Sequence, residues 1–142
     1  MFRNFILFYI LLISGSAIGQ NSGAISGYID KGNTVEFIFG DQQNINIGGL
    51  DLKLDKWRDQ IKEVTLAGDF NGWNPKAKGF ELAKVNNKIY KLIVLKSTLG
   101  KVGETRQFKF VLNNKYWIEP PKECMNKFKG KDGNVNFLIK LN

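Results

Sequence analysis

Val64-Thr65-Leu66-Ala67-Gly68-Asp69-Phe70-Asn71-Gly72-Trp73-Asn74-Pro75 is the stretch that decides the fold, because an alternating apolar run ends here in a turn. Val64 and Leu66 recur at the two-residue period of a β-strand, and the Gly, Asp, Asn and Pro residues that follow favour a turn. Phe70 and Trp73 are the only large side chains of that turn. Because loops held by a rigid strand often carry binding residues, we expect one of them to close the end of a core and the other to face outward. The alternative is that both pack into the core.

Further strands are predicted on both sides of this stretch, where apolar residues alternate over residues 34–39, 80–85, 88–95, 105–112 and 134–141. The turn signals that separate them recur at intervals of roughly ten residues, so about seven short strands are expected. This pattern favours an all-β fold, an antiparallel β-sandwich of immunoglobulin-like form, as a single domain over residues 34–142. Leu54, Trp57 and Ile61 recur at helical spacing and predict a short amphipathic helix around residues 54–61, in which Trp57 packs on the sandwich.

The N-terminal residues 1–19 are interpreted as a secretory signal peptide, because Arg3 precedes an unbroken apolar run and small residues follow that run. The mature chain is then expected to begin at Gln20 and to be exported to a periplasm or the cell exterior, with no membrane insertion once the signal is removed. Residues 20–33 are expected to form a flexible leader or a weak first strand. An uncleaved membrane anchor is the alternative, but the apolar run is far shorter than the roughly 20 residues that span a bilayer.

The formal net charge of +8 at pH 7 raises the question of a nucleic-acid partner. The lysines are scattered singly, however, and even the densest group, Lys127, Lys129 and Lys131, is interrupted by Phe128 and Gly130. We therefore expect no nucleic acid, and we interpret the charge as an aid to solubility. An acidic partner is the alternative.

The composition leaves little catalytic machinery. Cys124 is the sole cysteine and the sequence contains no histidine, so an internal disulfide, a cysteine-based or histidine-based zinc site and a histidine-based triad are excluded. No cofactor or metal is implied. A buried thiol is the expected state of Cys124.

Five polar and aromatic residues are candidates for a binding site. Lys109 and the two residues Asn134 and Asn136 are expected on the outward faces of their strands, and Trp73 and Trp117 come from turns. Flat indole rings can cover the apolar C–H face of a neutral sugar, while ammonium and amide groups can bind its hydroxyls. The alternative gives each residue a separate structural role, as an exposed strand lysine, turn asparagines or a cap on the core.

Three stretches closely resemble family 48 carbohydrate-binding modules, a group that includes the glycogen-binding domain of the AMP-activated protein kinase β subunit. Residues 68–73 resemble the Gly-x-Phe-Asn-x-Trp turn of that family, and Phe108-Lys109-Phe110 resembles its Tyr-Lys-Phe strand. Trp117 stands where the family has a second tryptophan, and Gly133-Asn134-Val135-Asn136 resembles its Gly-Thr-Val-Asn motif. The likeness covers residues 62–142. Asn134 replaces the usual threonine, and Asp132 stands where glycogen-binding members have a leucine, so a different preference between linear and cyclic glucans is expected.

The resemblance implies a non-catalytic protein that binds α-glucan, such as glycogen or starch-like chains, through Trp73, Lys109, Trp117, Asn134 and Asn136. Some members of the family bind sugar weakly or not at all. A second hypothesis is therefore an interaction module that docks onto a separate glucan-processing enzyme. A third is a glycosidase with Asp69 and Glu119 as acid and base, which would need the two carboxyl groups about 5 to 10 Å apart.

Overall fold

The structure, a computed structural model, describes residues 26–142. The signal peptide predicted for residues 1–19 and the cleavage site before Gln20 lie outside these residues. The described chain contains eleven strands: β1 (Tyr28–Asp30), β2 (Thr34–Phe39), β3 (Asn44–Ile47), β4 (Leu50–Lys53), β5 (Val64–Gly68), β6 (Ala83–Lys84), β7 (Tyr90–Leu95), β8 (Thr105–Leu112), β9 (Tyr116–Ile118), β10 (Lys127–Lys129) and β11 (Val135–Lys140). One short α-helix, α1 (Lys96–Leu99), and the 3₁₀ turns Leu54–Lys56, Arg58–Gln60 and Asp69–Asn71 complete the regular structure.

The strands form two main antiparallel sheets. The four-stranded sheet has the order β1-β2-β7-β6, and the five-stranded sheet has the order β10-β11-β8-β5 with β9 paired to β8. A separate hairpin is formed by β3 and β4. The prediction of an all-β antiparallel sandwich is thus confirmed, whereas the specifically immunoglobulin-like form stays a prediction.

Aromatic rings from the two sheets meet in the core. Phe37 of β2 contacts Phe108 of β8 edge-on, with ring centroids 5.1 Å apart, and Phe39 lies 5.5 Å from Phe110. Phe137 of β11 stacks on Phe108 at 5.0 Å. All five side chains are buried, because the two-residue period of each strand directs alternate side chains to the same face. The opposite face of β8 therefore points away from the core.

The chain crosses between the sheets just before β6. Leu66 N–H donates to the Phe80 carbonyl and Leu82 N–H donates to the Val64 carbonyl, each at 2.9 Å, so residues 80–82 cover the outer edge of β5. Only Ala83 and Lys84 then pair with β7. The predicted hairpin between residues 80–85 and 88–95 is therefore formed only near its turn, because the first half of the segment satisfies the free backbone groups of β5.

The short amphipathic helix predicted around residues 54–61 does not form as one continuous helix. Two 3₁₀ turns take its place, and they meet at Trp57, whose backbone stays in the right-handed helical region with φ −103° and ψ −12°. A helix of this length is marginal unless packing favours it. Here Leu54 and Ile61 are buried without one, and the Trp57 indole packs edge-on against the Tyr116 ring at 4.9 Å.

The strand count also exceeds the predicted number of about seven. One addition is the β3–β4 hairpin, whose turn residues Gly48 and Gly49 both have positive φ. The others include β10, which contains Lys127 and Lys129, and β1, which matches the weak first strand offered for residues 20–33 and pairs with β2 through Ile29 and Glu36. The sandwich therefore includes residues that precede position 34. No helix within residues 26–142 is long and apolar enough to cross a membrane.

Candidate functional site

The outer face of the five-stranded sheet carries the candidate site. Lys109 lies opposite Ala67 of β5, and Trp117 lies opposite Val111 of β8. Since Lys109 and Val111 are two residues apart on one strand, their side chains share a face. Asn136 joins that face, because its neighbour Phe137 pairs with the inward-facing Phe108.

An open pocket of about 370 Å³ lies on this face. It is lined by Trp73, Lys109, Trp117, Asn134 and Asn136. The structure thus brings together all five residues that the sequence analysis singled out. The side chains of Trp73 and Trp117 are both partly exposed, so both indoles are accessible to a ligand.

The turn after β5 separates its two aromatic side chains. Phe70 packs on the core, with its ring stacked on Phe80 at 5.4 Å and 6.4 Å from the ring of Phe37. Trp73 points to the pocket instead and has a left-handed backbone, with φ 58°. The expectation that one ring closes the core while the other faces outward is confirmed.

Hydrogen bonds hold this turn to the sheet. The Asn71 side chain accepts from Gly68 N–H and donates to the Leu66 carbonyl, both at 2.9 Å. Asp69 uses both carboxylate oxygens: Oδ1 accepts from the Trp73 indole Nε1 at 3.0 Å, and Oδ2 accepts from Gln107 N–H at 2.8 Å. The indole is therefore fixed relative to β8 through a single carboxylate.

Lys109 occupies the floor of the pocket and is only 6% exposed, although it lies on the outer face of the sheet. Its Nζ donates to Asn134 Oδ1 at 3.0 Å and lies 3.8 Å from Glu119 Oε1. Burial lowers the pKa of the Lys109 ammonium, and the carboxylates of Glu119 and Asp132 partly oppose that shift. A lysine this buried is normally paired, as it is here.

The two asparagines are also oriented by neighbours. Asp132 accepts from Asn134 N–H at 3.0 Å and from Asn134 Nδ2 at 3.3 Å, and these hydrogen bonds, the backbone one foremost, hold the pKa of Asp132 below its ordinary value. Asn136 Nδ2 donates to Gln107 Oε1 at 2.9 Å. Each amide of the pocket therefore has at least one partner in the protein.

The arrangement suits a neutral ligand that has both apolar and hydroxyl surface. Two partly exposed indoles supply flat apolar area, while one ammonium and two amides supply hydrogen-bonding groups. Within residues 26–142 no group of three or more Cys, Asp or Glu side chains could hold a metal ion. Cys124 lies away from the pocket lining and is buried as expected, and its burial raises the pKa of the thiol.

The sequence did not predict that Asp69, Gln107 and Asp132 would orient the side chains of the pocket through hydrogen bonds. The supporting role of Gln107 could have been predicted, because Gln107 lies two residues before Lys109 and therefore on the same outer face of β8. The contact of Asp132 could also have been predicted, because an aspartate commonly accepts a hydrogen bond from the backbone N–H two residues later, here that of Asn134. Nothing in the spacing of Asp69 and Trp73 indicated their contact, because it depends on the shape of the turn.

Comparison with known proteins adds no identification. The sequence matches no known protein-family profile, and a search of curated proteins likewise finds no match.

Proposed function

We propose that this protein is a non-catalytic α-glucan-binding module that holds glycogen or starch-like chains at the pocket of Trp73, Lys109, Trp117, Asn134 and Asn136. The observation that carries the proposal is the shared lining of one open pocket by two indoles, a buried ammonium and two amides. The resemblance of three sequence stretches to carbohydrate-binding modules supports the same function. Export through residues 1–19 belongs to the proposal, since extracellular or periplasmic glucan would be the ligand.

In the proposed complex the indoles stack on the sugar, and the polar side chains form hydrogen bonds with its hydroxyl groups. Trp73 and Trp117 cover the apolar faces of glucose units, which buries area at little cost in side-chain entropy. Lys109 has three N–H donors, and its bond to Asn134 leaves others for sugar hydroxyls. Each such contact adds about 0.5 to 1.5 kcal/mol net of water, so affinity is modest and led by the aromatic rings.

Preorganisation favours the site. The contacts of Asp69, Asp132 and Gln107 hold the binding side chains before any ligand arrives, which lowers the entropy lost on binding. The same contacts argue against the glycosidase hypothesis. Both oxygens of Asp69 accept hydrogen bonds from Trp73 and β8, so we assign this carboxylate to the support of the indole.

A second candidate is docking onto a separate glucan-processing enzyme. The observation that favours it is a set of exposed large apolar side chains on the other sheet and the following loop, Ile93, Leu95 and Val102. Apolar side chains that cluster on a surface are typical of protein contacts. In this case sugar binding would be weak or lost.

Affinity electrophoresis in native gels containing glycogen tests the proposal. Retardation of the wild-type protein is expected, with loss of retardation in Trp73→Ala and Trp117→Ala. Trp57→Phe is the matched control, because Trp57 packs on Tyr116 and is not part of the pocket lining. Circular dichroism checks that each variant is folded.

Salt distinguishes the classes of ligand. A neutral glucan requires no release of counterions, so retardation should be unchanged between low and high salt. A steep loss with salt would indicate an anionic polymer. A wild-type protein that glycogen does not retard, but that captures a purified glucan-active enzyme, would replace the sugar-binding proposal with the docking candidate.

A further inference from the structure

The edge strand β10 carries an aromatic residue on the face where the candidate site lies. Phe128 pairs directly with Asn136 of β11, so the two side chains share the outer face of the five-stranded sheet. Its side chain is 48% exposed. Asn136 lines the pocket, so Phe128 stands beside the pocket and one strand further out.

In β10 the distribution of polar and apolar side chains between the two faces is the reverse of that expected for a strand of a sandwich. A strand with one solvated face normally directs apolar side chains to the core and polar ones outward. Here Lys127 and Lys129 pair with Phe137 and Val135, on the core side, while Phe128 points outward. All three β10 residues are exposed, so the exchange adds nothing to the core.

The two lysines have a structural explanation and Phe128 has none. Lysines on an edge strand oppose pairing with other chains, and Lys127 Nζ also donates to the Lys122 carbonyl at 2.7 Å. An exposed phenylalanine costs solubility and gives no such protection. Positions that break a local rule without benefit to the fold are often functional.

We propose that Phe128 is an additional stacking position for a further glucose unit of a chain already held in the pocket. This inference rests on the proposed function. Directly paired side chains on neighbouring antiparallel strands lie about 4.5 to 5.5 Å apart at Cβ, and strands are spaced by about 4.8 Å. Phe128 therefore lies about 10 Å from β8 across the sheet, so a sugar seated over Lys109 on β8 leaves the ring for the next glucose unit.

The position of Phe128 makes its contribution depend on chain length. A short oligosaccharide fills the pocket and leaves the phenylalanine uncovered. A longer chain extends past Asn136 and covers the ring. A single exposed ring on this face of β10 suits the apolar face of one sugar better than a protein partner, which requires a wider apolar patch.

Calorimetric titration with maltotriose and maltoheptaose tests this inference. Phe128→Ala is expected to weaken maltoheptaose binding about threefold to tenfold and to leave maltotriose binding unchanged. Phe128→Tyr, which retains the ring, should bind both sugars as the wild type does. Met125→Ala is the matched control, since Met125 is 94% exposed and is part of neither the pocket lining nor β10.

The outcomes separate this inference from the proposed function. If the wild type binds both sugars and Phe128→Ala binds maltoheptaose equally well, the stacking position is refuted and the pocket stands. Equal weakening for the two sugars also refutes it, because the ring would then act on the pocket itself. If the wild type binds neither sugar, both proposals fail. Thermal melts verify that the variants are folded, and a half-exposed ring should change them little.

Discussion

Asp69 and Trp73 are joined by a hydrogen bond of 3.0 Å between the carboxylate Oδ1 and the indole Nε1. The other carboxylate oxygen accepts from the Gln107 backbone, so Asp69 connects the turn to the central strand β8. Trp73 also has φ 58°, a backbone conformation that bulky residues rarely adopt. The orientation of the indole therefore depends on this carboxylate as well as on the turn.

Asp69→Asn should weaken glucan binding more than it weakens the fold. An amide retains only one accepting oxygen, so either Trp73 or Gln107 would face an N–H₂ donor. We expect maltoheptaose affinity to fall about tenfold and the free energy of unfolding to fall by about 1 kcal/mol. Calorimetric titration and urea unfolding measure the two effects. Asp59→Asn, on the exposed turn Arg58–Gln60, is the control, and an unchanged affinity for Asp69→Asn would contradict the role assigned to the carboxylate.

Gly68→Ala should destabilise the turn through a steric clash. A Cβ atom at this position would lie 2.5 Å from the Gln107 carbonyl oxygen and 2.8 Å from the Phe70 ring. We expect the free energy of unfolding to fall by about 2 to 3 kcal/mol, as is typical of overpacking.

Gly72→Ala is the control for this substitution. Nothing lies within 4 Å of a Cβ atom there, and only the positive φ of 66° is unfavourable. A loss of about 1 kcal/mol is expected for Gly72→Ala. Urea denaturation of both variants measures the difference, and a Gly68→Ala variant as stable as Gly72→Ala would show that β5 moves away from β8 at no cost.

Lys109→Met should abolish sugar binding, and its stability relative to the wild type should depend on pH, because the substitution removes a buried charge together with its contacts to Asn134 and Glu119. The pKa of Lys109 lies below its ordinary value of 10.5, chiefly through burial. The charged form is therefore disfavoured in the folded state, and this cost is present at every pH below the folded pKa. As the pH rises through the folded pKa toward 10.5, the unfolded chain holds more protons, so the wild type gains stability.

Urea unfolding of the wild type and Lys109→Met at a series of pH values from about 7 to about 10 measures this effect. Other titrating groups are common to both proteins and cancel in the difference. The free energy of unfolding of Lys109→Met minus that of the wild type should become more negative toward the alkaline end. A value that stays constant or rises with pH would show that burial does not penalise the ammonium.

The parts of the fold that sequence could predict are those where side chains alternate strictly. In β8, Phe108 and Phe110 alternate with Gln107, Lys109 and Val111, and that order alone assigns the two faces. The shared face then follows from strand pairing. The candidate residues could be chosen because aromatic, amide and ammonium groups stood at turns and outward positions.

The parts that sequence could not predict depend on contacts between distant segments. The crossing of residues 80–84 from one sheet to the other is determined by the free edge of β5, which no local pattern encodes. Trp57 ends one 3₁₀ turn and begins another because of packing with Tyr116. The burial of Lys109 arises from the side chains around it, whereas periodicity predicts only that it points outward.

The position of β11 has a consequence for biosynthesis. This strand follows all the other described strands in the chain, yet it lies between β10 and β8 in the sheet. Asn136 belongs to β11, and Asn134 directly precedes it. These residues are translated after the turn of Trp73 and the strand of Lys109, so they leave the ribosome last. The pocket thus remains unfinished on the nascent chain until the segment after residue 133 has been made and has paired with β8.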